Sequence, residues 1–380
     1  MPQLVRLVCT TVFCTWLGRA LLASAAVAIV SFPATAGLAV GAWTVVPSRN
    51  PSGGGQNVLN AVAAVSASDA WAVGQGQFLS LTEHWNGTAW SIVPSPNLPT
   101  MTTLKGVAAI ASNDVWAVGD NGGQGITMHW NGSGWGTVPN PATGYTYINA
   151  ISATSSNDVW AVGSSGNSYR SLVLHWNGTN WSQMPAPSPD STQNLLFGVK
   201  VLATNNVWAV GQAGISTFIL HWNGLKWSRV NSPNLAAPGG YTEINTLRSV
   251  AGAGANDLWA VGDTGASTFA LHWNGSSWSV VQTPNGPSPW NMLTGVATVN
   301  STDVWSVGFS YSEIDTCGEG CYQDIPGTLI EHWDGTSWTV VSAPATGVSS
   351  LAGLAVSGAS MAWAVGNASG QTLVEQSFAP

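Results

Sequence analysis

Charge is what this chain has least of. Asp, Glu, Lys and Arg make up 7% of its 380 residues, against about 25% in an average soluble protein. Solubility must come from Asn, Ser, Thr and Gly, a surface suited to neutral polar ligands. Only nine Lys and Arg stand against 17 acidic residues, a formal charge of -8, and no basic stripe exists. That argues against nucleic acid as a partner. Histidine is scarce too, with six in all, and cysteine scarcer, with four. Beyond residue 36 no run is long and apolar enough to span a membrane.

The one long apolar run lies at the start. Arg6 and Arg19 precede an alanine- and leucine-rich stretch from Ala20 to Val30, and Ala34-Thr35-Ala36 offers a small-residue cleavage site before Gly37. Residues 1–36 therefore read as a signal peptide. The rival is an uncleaved anchor, but the run is shorter than the roughly 20 apolar residues a spanning helix needs. Cleavage would give a secreted, extracellular protein with no membrane attachment, and would leave seven basic residues and a formal charge of -10. It would also remove Cys9 and Cys14, leaving Cys317-Gly318-Glu319-Gly320-Cys321. In an exported chain that pair is expected to form a short-loop disulfide. A metal site would need more ligands than two thiols, and every His lies elsewhere.

What the chain has in abundance is tryptophan, with 22 residues. Seven recur in one frame, as in Asn113-Asp114-Val115-Trp116-Ala117-Val118-Gly119: Trp71, Trp116, Trp160, Trp208, Trp259, Trp305 and Trp363. Their spacings of 45, 44, 48, 51, 46 and 58 residues mean propeller blades or helical arrays. Each copy decides for blades. An alternating segment such as Leu104-Lys105-Gly106-Val107 leads through a Ser/Asn/Asp turn to the Trp strand, and a third strand ends in His-Trp. Asn-Gly, as at Asn131-Gly132, then supplies a tight hairpin turn into a fourth strand carrying another Trp. Four antiparallel strands in about 45 residues make one blade.

The seventh copy stops after its third strand, at Leu373 to Phe378, while Ala42-Trp43-Thr44-Val45-Val46 matches the fourth strand Ser337-Trp338-Thr339-Val340-Val341. The expected fold is all-β: a single seven-bladed β-propeller over 37–380, with 42–48 as the outer strand of the last blade and 309–327 as an insertion in the sixth. An N-terminal strand closing the ring removes the open sheet edges.

Residues shared by all blades serve the fold. His84, His129, His175, His221, His272 and His332 occupy one repeat position, so each is expected to pack on its Trp and bond across its own blade. Asp69, Asp114, Asp158, Asp257 and Asp303, two before the frame Trp, are expected to accept backbone N–H groups in the first turn. The Asn-Gly-Thr/Ser sequences are turns first and glycosylation sequons second.

Function then belongs to what the blades do not share. Tyr145, Tyr147, Tyr241 and Trp290 fall between blades, and Tyr169, Tyr311 and Tyr322 in loops after second strands; both loop sets leave the same face of the disc. An aromatic with a polar tip suits a protein surface or the flat face of a sugar, although long loops also need aromatics to pack them. A second variable set lies eleven residues before each frame Trp: Asn60, Lys105, Asn149, Phe197, Arg248, Thr294 and Ala352. Its neighbours are constrained, which makes it a ring at the channel mouth with a cationic element from Lys105 and Arg248, either a pocket or a holder of water. The sixth-blade insertion carries Glu313, Asp315, Glu319 and Asp324 beside the cysteine pair. Calcium there is an alternative to a plain solvated loop, without recognisable calcium-loop spacing; otherwise no cofactor is expected.

The frame Asn-Asp-Val-Trp-Ala-Val-Gly followed by Leu174-His175-Trp176-Asn177-Gly178-Thr179-Asn180-Trp181 resembles the Trp-rich propeller repeats of exported bacterial proteins, and more loosely tectonin-type lectin and kelch-type blades, over residues 42 to 380. The paired kelch glycines and the sialidase-type Asp box are absent. A galactose-oxidase-like copper site finds no His outside the framework. By resemblance to tectonin-like lectins, a glycan is a reasonable ligand. The reading is an exported, monomeric, non-catalytic binding propeller that recognises a glycan or an extracellular protein through its aromatic loop face. The alternative is an extracellular polysaccharide lyase or hydrolase at the channel mouth, with Lys105 and Arg248 neutralising a uronate and Tyr147 or Glu243 moving protons.

Overall fold

The computed structural model describes residues 42–378 except 54, 236–243, 287–289, 316–321, 346 and 359–360; for 312–315 and 322–324 it describes the backbone alone. The described residues form seven four-stranded antiparallel sheets, each strand beside its sequence neighbour. In blade 2 the strands are Thr102–Ala111, Asp114–Asn121, Gln124–Trp130 and Trp135–Thr137. The protein is a seven-bladed β-propeller. Its last sheet is completed from the far end of the chain: Trp43–Val45 pairs with Gln371–Ser377, in the register Trp43↔Ser377 and Thr44↔Gln376.

The tryptophan frame is the core. All seven frame Trp residues are 0–3% exposed. Trp116 lies on the His129 ring of its own blade at 4.4 Å and meets two Trp residues of blade 3, Trp176 at 4.9 Å and Trp181 edge-on at 5.4 Å and 87°. The same pairing with two Trp residues recurs at six of the seven junctions, Trp363 of blade 7 meeting Trp85 and Trp90 of blade 1, while Trp305 of blade 6 meets Trp43 alone. Burying roughly 200 Å² per Trp at about 25 cal/mol per Å² gives about 5 kcal/mol each as an upper bound. The blades are thus held by repeated aromatic contacts between neighbours.

Each histidine packs on its frame Trp and bonds across its own blade, as expected; it is the aspartates that depart from expectation. The Asp two residues before the frame Trp accepts from the imidazole Nε2, at 2.8–3.0 Å in blades 1, 2, 3, 5 and 6, instead of from the turn's backbone amides. The first two strands bring the carboxylate beside the third-strand imidazole, and a side-chain pair satisfies both groups. Asn206 replaces the Asp for His221 at 3.0 Å, and burial lowers the pKa of that imidazole.

Every first strand carries a β-bulge at one place. The register jumps from Leu59 to Ala61, Leu104 to Gly106, Ile148 to Ala150, Leu196 to Gly198, Leu247 to Ser249, Leu293 to Gly295 and Leu351 to Gly353. The skipped residue is the one eleven before the frame Trp. A bulge frees a residue from the ladder and re-aims its side chain, which explains why this position alone varies. The bulge also explains the frame glycine. A Cβ on Gly74, Gly119 or any of its five equivalents would stand 1.8–1.9 Å from a first-strand carbonyl oxygen.

Candidate functional site

The seven bulge residues converge. Together with their two following neighbours they line one cavity of about 210 Å³ at the centre of the ring. Three of them reach the next blade in the same way: Asn60 Nδ2 donates to the Leu104 carbonyl at 2.7 Å, Asn149 Nδ2 to Leu196 at 2.9 Å and Thr294 Oγ1 to Leu351 at 2.8 Å. These bonds stitch blade to blade. Part of the ring's polarity is therefore spent on closure, leaving less of it to face a ligand.

The two cations are neutralised within their own blades. Lys105 Nζ lies 2.8 Å from Asp120 Oδ2 and Arg248 Nε 2.5 Å from Asp263 Oδ2. Lys105 also sits over the Tyr147 ring at 5.0 Å and donates to Asn149 Oδ1 at 3.5 Å, while the Arg248 guanidinium lies 5.9 Å from the Phe197 ring. The expected cationic element is a pair of ion pairs. The sequence held a signal for this. Asp120 and Asp263 stand four residues after their frame Trp, where the other blades have Gln75, Ser164, Gln212, Phe309 and Asn367. The only cationic bulge residues fall in the only two blades with that Asp.

The aromatic candidates divide. Tyr147 joins the channel mouth beside Lys105. Tyr145, 64% exposed, Tyr169, 42%, and Trp290, 48%, stand on the loop face. Tyr311 is half-buried and pairs across the strand with Trp290. Tyr241, Glu243, Cys317, Cys321 and the leader lie outside the described residues, as do the side chains of residues 312–324, Tyr322 among them, so the disulfide and calcium expectations fall there too.

Sequence reasoning missed much of this face. Phe78, Met101, Ile215, Ile244 and Val348 are 43–65% exposed on it. Met101, Tyr145, Ile244, Trp290 and Val348 share one repeat position, fifteen before the frame Trp. They escape notice because the next position inward, Asn57, Thr102, Thr146, Asn194, Asn245, Asn291 or Ser349, is polar and buried, the reverse of a usual strand pattern.

Three buried carboxyls lie apart from both sites. Glu83, Glu331 and Glu375 are fully buried, each one residue before the His position, where the other blades carry Met128, Leu174, Leu220 and Leu271. Burial raises Glu83 and Glu375 to about 7 and Glu331 to about 9. Glu83 accepts the Arg49 amide at 3.3 Å and Glu375 the Ala345 amide at 3.2 Å, both from connections between blades. Glu331 has no such partner among the described residues.

No family model and no curated protein matches the chain. Solved structures do. YCF48 bound to a D1 peptide is similar at 13% identity, over 90% of this chain and 96% of that one, with a TM-score of 0.57. The β-propeller domain of Cps50 (Swd1) from Myceliophteria thermophila is similar at 8% identity, over 89% and 100%, with a TM-score of 0.58. U3-55K is similar at 10% identity, over 88% and 98%, with a TM-score of 0.58. At such identities the likeness is one of fold.

Proposed function

We propose that this propeller is an exported, non-catalytic interaction protein that recognises a macromolecular partner, a glycan or an extracellular protein, through its loop face. The observation that carries the reading is the set of large apolar side chains left 42–65% exposed there, among them Phe78, Met101, Tyr145, Tyr169, Ile215 and Trp290. Exposed apolar surface gathered on one side of a soluble protein marks an interaction site, and aromatics supply most of the binding energy in such sites. The patches run from blade 1 to blade 6, so the partner is large or extended. A propeller of this fold does accommodate a peptide in YCF48. The mature chain is proposed to begin at Gly37, with Cys317 and Cys321 joined.

The uronate-active reading draws no support from the channel mouth, because both cations it needs are already paired with Asp120 and Asp263. A single reading therefore stands. Glycan and extracellular-peptide arrays, probed with the wild type and with Tyr145→Ala, Tyr169→Ala and Trp290→Ala, test it. Binding that falls at least tenfold in these variants supports loop-face recognition; binding unchanged in all three refutes it.

A further inference from the structure

The cavity at the centre of the ring has three layers, each set by one position of the first strand. Eleven residues before the frame Trp stands the variable bulge residue; ten before, an Ala, Gly or Ser; nine before, a Val in five blades, Ile151 in blade 3 and Leu354 in blade 7. The middle layer is small because the blades touch there. A Cβ on Gly353 would stand 2.8 Å from the Ala61 Cα of blade 1, and one on Gly198 3.0 Å from the Ser249 Cα of blade 5. That close approach fixes the wall from blade to blade, so the space it encloses is built before any ligand arrives. The five valines and Ile151 are 6–8% exposed, and what they expose is an apolar lining.

The polar layer is only partly used. Asn60 and Asn149 give their Nδ2 to the next blade, which leaves the Asn60 Oδ1 without a partner among the described residues and the Asn149 Oδ1 with Lys105 alone, at 3.5 Å. Arg248 commits its Nε to Asp263, and its two terminal nitrogens find no partner among the described residues. Lys105, held by Asp120 and Asn149, keeps one N–H to give. None of these atoms is sealed from solvent. The cavity therefore offers hydrogen-bond donors from blades 2 and 5 and acceptors from blades 1 and 3.

Three features choose the occupant. Charge selects against ions: Lys105 and Arg248 are the only charged residues in the cavity wall, and each already holds a carboxylate. An anion would have to compete with Asp120 or Asp263 for its cation, and a cation would meet Lys105 and Arg248. Volume sets the size, because an apolar cavity of about 150 Å³ takes a benzene-sized molecule and about 210 Å³ takes such a ring with a small polar head. The head must both donate and accept. An uncharged carboxamide does so, its carbonyl accepting from Arg248 or Lys105 and its N–H groups donating to Asn60 or Asn149.

We propose that the central cavity is a small-molecule site, separate from the loop face, for an uncharged carboxamide with one compact apolar body. The body lies against the valine layer and the amide against the bulge layer. Affinity comes from the desolvated body, and orientation from the two asparagines and Arg248. Selection against charged analogues comes from the two ion pairs, which leave no net charge in the wall for an ion to neutralise.

Benzamide, benzoate and benzamidine differ in charge and hardly in shape, and acetamide supplies the head without the body. Ligand-observed NMR titrations of the whole protein at neutral pH measure all four. Benzamide is expected to bind, with benzoate and benzamidine weaker by about fivefold or more and acetamide by about tenfold or more. Two variants borrow residues that other blades already carry at the same positions. Ala352→Phe, which copies Phe197 of blade 4, fills the cavity and should weaken benzamide by about tenfold or more. Arg248→Asn with Asp263→Gln, which copies Asn60 and Gln75 of blade 1, removes the guanidinium without stranding the carboxylate and should weaken it by about threefold or more. Circular dichroism and the thermal midpoint check that each variant is folded. The combined Tyr145→Ala, Tyr169→Ala and Trp290→Ala variant should bind benzamide as the wild type does. A wild type that binds no benzamide, or binds benzoate or benzamidine equally well, overturns the proposal. So does benzamide binding that is unchanged in Ala352→Phe or in the Arg248→Asn, Asp263→Gln variant. Binding lost in the loop-face variant and indifferent to Ala352→Phe would put the molecule on the loop face and defeat the cavity site alone.

Discussion

Lys105 Nζ and Asp120 Oδ2 lie 2.8 Å apart across the first two strands of blade 2, with the carboxylate side chain only 11% exposed. The bulge turns Lys105 out of the ladder toward the channel, and Asp120 meets it there. Lys105→Met should cost more stability than Asp120→Asn, because it leaves a mostly buried carboxylate without its cation. The double-mutant cycle in urea should return a coupling of about 1 kcal/mol.

The buried carboxyls make stability depend on pH. A carboxyl whose folded pKa is raised above its unfolded value near 4.5 contributes most below that value, and its contribution is lost as pH rises through the folded pKa. For Glu83 and Glu375 the loss runs from about 4.5 to about 7, and for Glu331 on to about 9. The urea midpoint should therefore be higher at pH 5 than at pH 8. Glu331→Leu, which installs the residue found at this position in blades 3, 4 and 5, should raise stability at pH 8 by about 1–3 kcal/mol and flatten the curve between pH 7 and 9. A midpoint that climbs from pH 5 to pH 8 would count against this assignment.

The imidazole partner tolerates loss of charge but not loss of the acceptor. Blade 4 keeps its bond with Asn206 in place of Asp. Asp114→Asn should shift stability by less than about 0.5 kcal/mol, whereas Asp114→Ala, which strands both His129 and the Ser156 hydroxyl that bonds the same carboxylate, should cost about 1–2 kcal/mol. Thermal denaturation of the two variants side by side distinguishes them.

Ring closure depends on a three-residue strand. Trp43 is 5% exposed and meets Trp305 of blade 6 edge-on at 5.6 Å. Trp43→Ala should cost about 3–5 kcal/mol. Deleting residues 42–46 should expose the Gln371–Ser377 edge and drive self-association, visible by light scattering as species larger than a monomer.

The scaffold was legible in the sequence because each blade solves the same packing problem with the same residues. A Trp, a His and a Gly recurring together announce a blade, and the match of Trp43 to Trp338 reveals a fourth strand displaced to the other end. The variable ring was legible too, since a bulge relaxes one position while its neighbours stay fixed. What the ring does was harder to see. Lys105 and Asp120 are fifteen residues apart, and their pairing emerges only when the bulge position is read against the one four after the Trp. The cavity of about 140 Å³ beside Trp290 was hidden for another reason: Met292 and Phe309 look like core residues in a strand, and only the register that sets them opposite one another next to the Trp290 and Tyr311 pair leaves all four lining it.

The most direct test of the account compares the two faces of the disc. Leu225, 86% exposed in a hairpin turn on the opposite face, is the control for Tyr145, Tyr169 and Trp290. Whichever glycan or peptide the wild type binds on arrays, its affinity should fall at least tenfold in the combined Tyr145→Ala, Tyr169→Ala and Trp290→Ala variant and stay unchanged in Leu225→Ala. Full affinity in the triple variant, or loss in Leu225→Ala alone, would contradict recognition through the loop face.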